Sequence, residues 1–136
     1  MGKFKKNFIV LADHATTEKD GKLMISGVFE TIYATALPAM HPSLYVVGNF
    51  FVEDKNTLDA KVDLDVIGPN GKSIVEVAIP PLNAKVPEID RDKRAFNIIY
   101  QLTNVKIVEY GEHHILVKID GEDIGFTIFF VEKPSN

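Results

Sequence analysis

The side chains of this sequence that could do chemistry are four histidines and nineteen carboxylates, and their spacing restricts what that chemistry can be. His14 follows Asp13, His41 precedes Pro42, and His113 and His114 are adjacent. A zinc site needs two or three imidazoles converging with a carboxylate. No His-x-His lies on a strand-like stretch and no His-x3-His on a helix-like one. Adjacent residues of an extended chain point to opposite faces, so His113 and His114 cannot readily share an ion. Asp13, His14 and His41 form the more coherent set. They could meet at the rim of a fold and hold a small polar ligand, or serve as a hydrogen-bonded corner.

The acidic loops are the next candidates. Asp54, Asn56 and Asp59 fall in one, Asp90 and Asp92 in another, and Asp120, Glu122 and Asp123 in a third. Calcium takes several oxygen ligands, which C2-type sandwiches gather from neighbouring loops at one end. The spacing here follows no such pattern, and Asp-Gly is ordinary hairpin chemistry. Ser26, Ser43, Ser73 and Ser135 lack a Gly-x-Ser-x-Gly setting for nucleophilic attack. Gly68-Pro69-Asn70-Gly71-Lys72-Ser73 ends like a phosphate-binding loop but lacks its length and its following helix. The reading is of a protein without catalytic residues, metal or cofactor.

What must position these groups is set by size and composition. A chain of 136 residues suits one domain, 1–136, with a core large enough to fold unaided. The absence of cysteine removes disulfides, thiolate metal sites and cysteine nucleophiles together. A net charge of −4 opposes nonspecific binding to nucleic acid or anionic membrane. Lys3, Lys5 and Lys6 precede the apolar 8–12, but Asp13 stops that run short of a secretory signal, and nothing nears the roughly 18 apolar residues of a membrane span. We expect a soluble, cytoplasmic location.

The dominant periodicity is two, the signature of strands. Ala60, Val62, Leu64 and Val66 alternate with Lys61, Asp63 and Asp65, and the Gly-Pro-Asn-Gly turn is followed by the apolar 74–79. This predicts a hairpin over 60–79. A second hairpin runs from 115 through Asp120-Gly121 and back along Ile124, Phe126, Ile128 and Phe130. Further strands are expected at 8–13, 22–33, 44–53 and 96–109. In the last, Phe96, Ile98, Tyr100 and Leu102 share a parity that Val105 and Ile107 break. A β-bulge near Thr103-Asn104 would explain the change, as would a two-residue turn making two strands. The sum is an all-β fold: an antiparallel β-sandwich of about eight strands, immunoglobulin-like or C2-like.

Two strands are apolar on both sides. Tyr45, Val47 and Phe51 interleave with Leu44, Val46, Phe50 and Val52, and Phe126, Ile128 and Phe130 with Phe129 and Val131. A sandwich strand needs only one dry face, so the second face calls for a covering segment or a partner. The connection 80–95, with Pro80, Pro81 and Pro87 and a charge cluster, is the expected cover. Otherwise Tyr45, Val47 and Phe51 form a contact for another copy or another protein.

Three stretches resemble a group of short bacterial proteins of unknown function. They are Ala12-Asp13-His14-Ala15, the run from Gly21-Lys22-Leu23 through Ile25, Gly27, Phe29 and Glu30, and Leu37-Pro38 with His41-Pro42. The group shows Ala-Asp-x-Ala, Gly-Lys-Leu-x-Ile-x-Gly-x-Phe-Asp and Pro-x-x-His-Pro at these places. The segment from Gly111 to Glu122 is similar to its Gly-x-Tyr-x-Phe-x-Val-x-Val-Asp-Gly stretch, with His113 or His114 in place of an aromatic. The resemblance implies a domain of unknown function and no activity.

The functional expectation is a non-catalytic binding or assembly module with a protein partner or self-association. Two other readings stand beside it: a small hydrolase or metal-dependent enzyme using the histidine-bearing loops, and a structural subunit of a phage or other large assembly.

Overall fold

The computed structural model describes residues 3–75, 78–87 and 94–135. Among them are nine strands: β1 (Phe4–Thr17), β2 (Leu23–Phe29), β3 (Thr31–Tyr33), β4 (Ala39–Val52), β5 (Asp59–Ile67), β6 (Leu82–Lys85), β7 (Arg94–Ile107), β8 (Gly111–Ile119) and β9 (Glu122–Glu132). They make a four-stranded sheet, β2-β1-β4-β7, and a five-stranded sheet, β3-β9-β8-β5-β6. Their inner faces pack as a β-sandwich. Leu11, Phe50 and Ile98 come from one sheet, and Val62, Ile115 and Phe129 from the other, all fully buried. The period-two pattern that marks β5 and β8 in the sequence puts one parity of each strand into this core.

Local turn chemistry accounts for the β8–β9 hairpin. Asp120 and Gly121 sit at φ 51 and 80, the two positive values of a type I′ turn, and Ile119 pairs with Glu122 across it. The expected strand at 22–33 is interrupted at Glu30. β2 pairs with β1 in the first sheet, and β3 crosses to the second, where it runs parallel to β9. Among the described residues the other strand pairs are antiparallel.

Two other expectations are corrected. The Gly68–Gly71 turn forms, but the chain returns only as far as a bridge from Ile67 to Ser73 and the Ile74 N–H···O Val66 bond of 2.9 Å. Residues 74, 75 and 78–80 are not strand, and 76 and 77 lie outside the described residues. Instead Leu82–Lys85, expected to be irregular, pairs with β5 from Asp59 to Val62. Pro80 and Pro81 lack the N–H groups that would continue a ladder, so pairing resumes only beyond them. The second correction concerns β7. It is one strand whose register against β4 holds from Ala39↔Ile107 to Val52↔Arg94, so no residue is inserted. Its parity changes because Asn104 adopts φ 53 opposite Pro42, where the ladder pair is missing.

The first hairpin decides what happens to the outer side of β4. Phe8, Asn49 and Asn97 form one row across β1, β4 and β7. A straight β1 would carry Thr17 roughly 30 Å past that row. The hairpin tip returns to it instead, where Asn97 Nδ2 donates to Gly21 O at 3.1 Å. The bend lies at Asp13 and Gly27, whose pair is missing between Ala12↔Val28 and His14↔Ser26. Gly27 has φ 71, and a Cβ there would meet Asp13 Oδ2 at 2.5 Å, so only glycine fits the corner. Beneath the folded-back hairpin Val47 is 0% exposed, and Ala15, on the hairpin itself, is 5% exposed. The cover of β4 is thus the β1–β2 hairpin. The expected covering stretch 80–95 instead supplies an edge strand, and its residues 88–93 lie outside the described set.

Candidate functional site

The residues singled out at the rim separate into two ring pairs. His14 packs edge-on against Tyr45 at 5.2 Å, and His41 lies 6.1 Å from Phe29. Asp13 turns to the other side of β1, against Gly27. His41 lines a small cleft of 250 Å³ with Tyr33, Ala36 and Met40, which neither Asp13 nor His14 reaches. Among the described residues no three His, Asp or Glu side chains stand together as metal ligands. Of the three expected interface residues, Val47 is enclosed and Tyr45 and Phe51 are half-buried.

The acidic loops are occupied by local structure. Asp54 accepts from Asn56 N at 2.8 Å and from Thr57 Oγ1 at 3.2 Å. The Asn56 bond in particular holds its carboxyl below the usual aspartate value, against some desolvation, with Thr57, Lys3 and Arg94 adding to the effect. Asp59 pairs with Lys85 at 2.7 Å, and Asp120 accepts from Lys61 N at 2.9 Å. Asp90 and Asp92 lie outside the described residues.

The adjacent histidines mark the two faces of the second sheet. His113 is 1% exposed and stacks on Phe129 at 4.8 Å inside the core. Its Nδ1–H donates to Gly111 O at 3.1 Å, while Nε2 is buried without a partner. Burial pushes its pKa below the ordinary histidine value, opposed by the Gly111 carbonyl and Glu109 and reinforced by His114. His114 points outward, stacked on Phe126 at 5.0 Å, with Nε2 2.6 Å from Glu112 Oε2.

That outer face leaves apolar side chains exposed. Phe126, Ile128 and Phe130 project from β9, Leu116 and His114 from β8, and Ile67 from β5. Register places Leu116 opposite Phe126 and His114 opposite both Ile128 and Ile67, so the side chains form one contiguous surface. Phe126 is 45% exposed and Phe130 37%. Lys61 and Lys118 lie at one end of the face, with Asp63 and Asp123 beside them and Asp65 beside Leu116, and Glu112 and Glu132 lie at the other end. The sequence did signal this surface through the two-sided pattern of β9, but the same signal marked β4, where the hairpin covers it.

A cleft of 470 Å³ lies apart from this face, between β7 and residues 74, 75 and 78–80. No helix among the described residues is long and apolar enough to cross a membrane.

The two packed sheets define an all-β sandwich domain. A family of unknown function, DUF6941, matches residues 7–132, and the chain belongs to that family. No curated protein matches it. Similar solved structures include the alkylpurine DNA glycosylase AlkC of Pseudomonas fluorescens bound to DNA containing an abasic site analog, with a TM-score of 0.51 and 10% identity. That match covers 96% of this chain and 30% of that one. A β-glucosidase from Listeria innocua is similar with a TM-score of 0.50 and 10% identity, over 95% of this chain and 16% of that one. At such identity the likeness concerns the fold alone, and this chain spans less than a third of either enzyme.

Proposed function

We propose that this domain is a non-catalytic assembly module that associates with a second copy of itself through the outer face of β5, β8 and β9. The observation that carries the reading is the contiguous surface of Leu116, Phe126, Ile128 and Phe130 with nothing over it among the described residues. Solvent-exposed aromatics on adjacent strands mark interaction surfaces. The occupant follows from symmetry. A two-fold axis lying in the face and perpendicular to the strands sets each strand against its own copy, so Lys118 of one β8 comes against Glu112 of the other. Apolar centre then meets apolar centre.

The size of the face sets the strength. Three strands about 4.8 Å apart and about six residues long span roughly 14 by 20 Å, about 300 Å². That falls short of the roughly 800 Å² per partner of a standard interface. A reversible, concentration-dependent dimer is expected. Light scattering between about 10 µM and about 1 mM should show the mass rising towards two chains. Phe126→Glu should hold the protein at one chain, while Met24→Glu, on the other sheet, should leave the dimer unchanged. A wild type that stays monomeric throughout, or a Phe126→Glu dimer, defeats the reading.

A further inference from the structure

Among the described residues of the outer face, His114 is the side chain of a type that changes charge between about pH 5 and 8. Register sets its surroundings. On β8 it lies between Glu112 and Leu116, with Lys118 one outward position further on. On β9 it faces Ile128, with Phe126 and Phe130 to either side, and neither of those strand neighbours is charged. On β5 it faces Ile67, and Asp65 is the next outward residue. The ring stacks on Phe126 at 5.0 Å with 13° between the planes, and Nε2 lies 2.6 Å from Glu112 Oε2. The adjacent His113 is in the core, on the other side of the sheet.

The Glu112 contact is made within one chain, so by itself it cannot make association depend on protons. A second copy supplies the difference. With Lys118 against Glu112 of the other copy, the two-fold axis passes at residue 115, and His114 lies against Leu116 of the other copy. Asp65 pairs with Leu116 across the strands, so Asp65 of the other copy stands beside the imidazole. Its carboxylate is fixed in place, with Oδ1 accepting from Val66 N at 2.9 Å and from Ser73 Oγ at 2.6 Å. Two effects compete at the ring. Leu116 of the other copy removes water and opposes a positive charge, while the carboxylate favours one. On a face of about 300 Å² every residue lies near the rim, so the ring keeps part of its hydration and the attraction prevails. The charge balance acts in the same direction. Carboxylates along the face outnumber its lysines, so two copies with neutral histidines repel, and each imidazolium lessens that repulsion.

Resting on the self-association argued above, we propose that His114 makes the dimer proton-dependent, each imidazolium being held between Glu112 of its own chain and Asp65 of the other copy. Each copy takes up one proton at His114. Because uptake and association are reciprocal, the dimer tightens as pH falls from about 8 to about 6.

Light scattering between about 10 µM and about 1 mM, at about pH 8 and about pH 6, reads the dimer constant. Two partly exposed ion pairs at about threefold each predict a dimer about tenfold tighter at the lower pH. His114→Phe keeps a ring on Phe126 but takes no proton, and its two constants should agree within about twofold. His114→Gln should give the same agreement without adding apolar surface. Asp65→Asn should lose most of the response. A wild type of one chain at both pH values would overturn the self-association and this proposal together. A wild-type dimer of equal strength at both, or weaker in acid, would overturn this proposal and leave the self-association standing. So would a full response surviving in His114→Phe or Asp65→Asn.

Discussion

Asn97 and Gly21 are 76 residues apart in sequence and joined by a hydrogen bond of 3.1 Å from the amide Nδ2 to the main-chain oxygen. The bond ends a ladder of asparagines. Asn7 Nδ2 donates to Asn49 Oδ1 at 2.9 Å, and Asn49 Nδ2 to Asn97 Oδ1 at 2.7 Å. Three neighbouring strands thereby hold the tip of a hairpin that has folded back across them.

Replacing Asn97 by alanine should loosen that tip. One lost hydrogen bond, with the half-buried Asn49 amide left short of an acceptor, costs about 1–2 kcal/mol. Hydrogen exchange at the amides of 14–26 should accelerate about tenfold while the β8–β9 amides keep their protection. Uniform acceleration in both hairpins would place the ladder in the global stability instead.

Gly27→Ala should be more costly. The new methyl both occupies a left-handed backbone and collides with Asp13, so a loss of about 2–4 kcal/mol is expected in urea denaturation. Adding Asp13→Ala removes the carboxyl part of the collision, leaving the residue 13 Cβ at 3.1 Å and the backbone strain. The double variant should recover part of the loss, and full recovery would mean that the φ angle matters little.

Acid should weaken the fold through His113. Its folded pKa lies below the unfolded value of about 6.5, so the unfolded chain binds the proton more readily. The stability from keeping it neutral is whole above about pH 6.5 and is lost as pH falls through the lower folded value. His113→Phe, similar in shape and able to stack on Phe129, should flatten the pH dependence of urea midpoints between about pH 7.5 and 5. An unchanged slope in that variant would assign the acid sensitivity to other groups.

Arg94 is 5% exposed and donates to two main-chain oxygens, Pro87 O at 3.2 Å and Asp54 O. It ties the start of β7 to the turn after β4 and to Pro87, just after β6. Arg94→Met should lose about 2–3 kcal/mol by thermal unfolding, since two main-chain carbonyls lose a charged donor. Lysine cannot span both oxygens as the planar guanidinium does, so Arg94→Lys should rescue less than half of the loss.

What was legible in the sequence is what short-range chemistry determines. Alternation in 60–66 and 115–119 marked strands and their inward parity, and Asp120-Gly121 marked a turn, because these depend on neighbours a few residues away. Membership of an all-β sandwich class followed from repeating that signal along the chain. Opposite orientation of His113 and His114 followed from the same pleat.

Tertiary structure alone decided which surfaces meet. The apolar run 74–79 looked like the partner of β5, yet β8 takes one edge of that strand, and on the other Leu82–Lys85 pairs with 59–62 while only Ser73 and Ile74 meet its end. The two-sided patterns of β4 and β9 were equivalent in sequence. One became interior because Gly27 and Asp13 let a hairpin fold over it, and the other stayed at the surface. Periodicity reports that a face is apolar, but burial is a long-range property. It depends on where a distant segment lands, and the bend at Gly27 and the ladder ending at Asn97 decide that only once the sheets are in place.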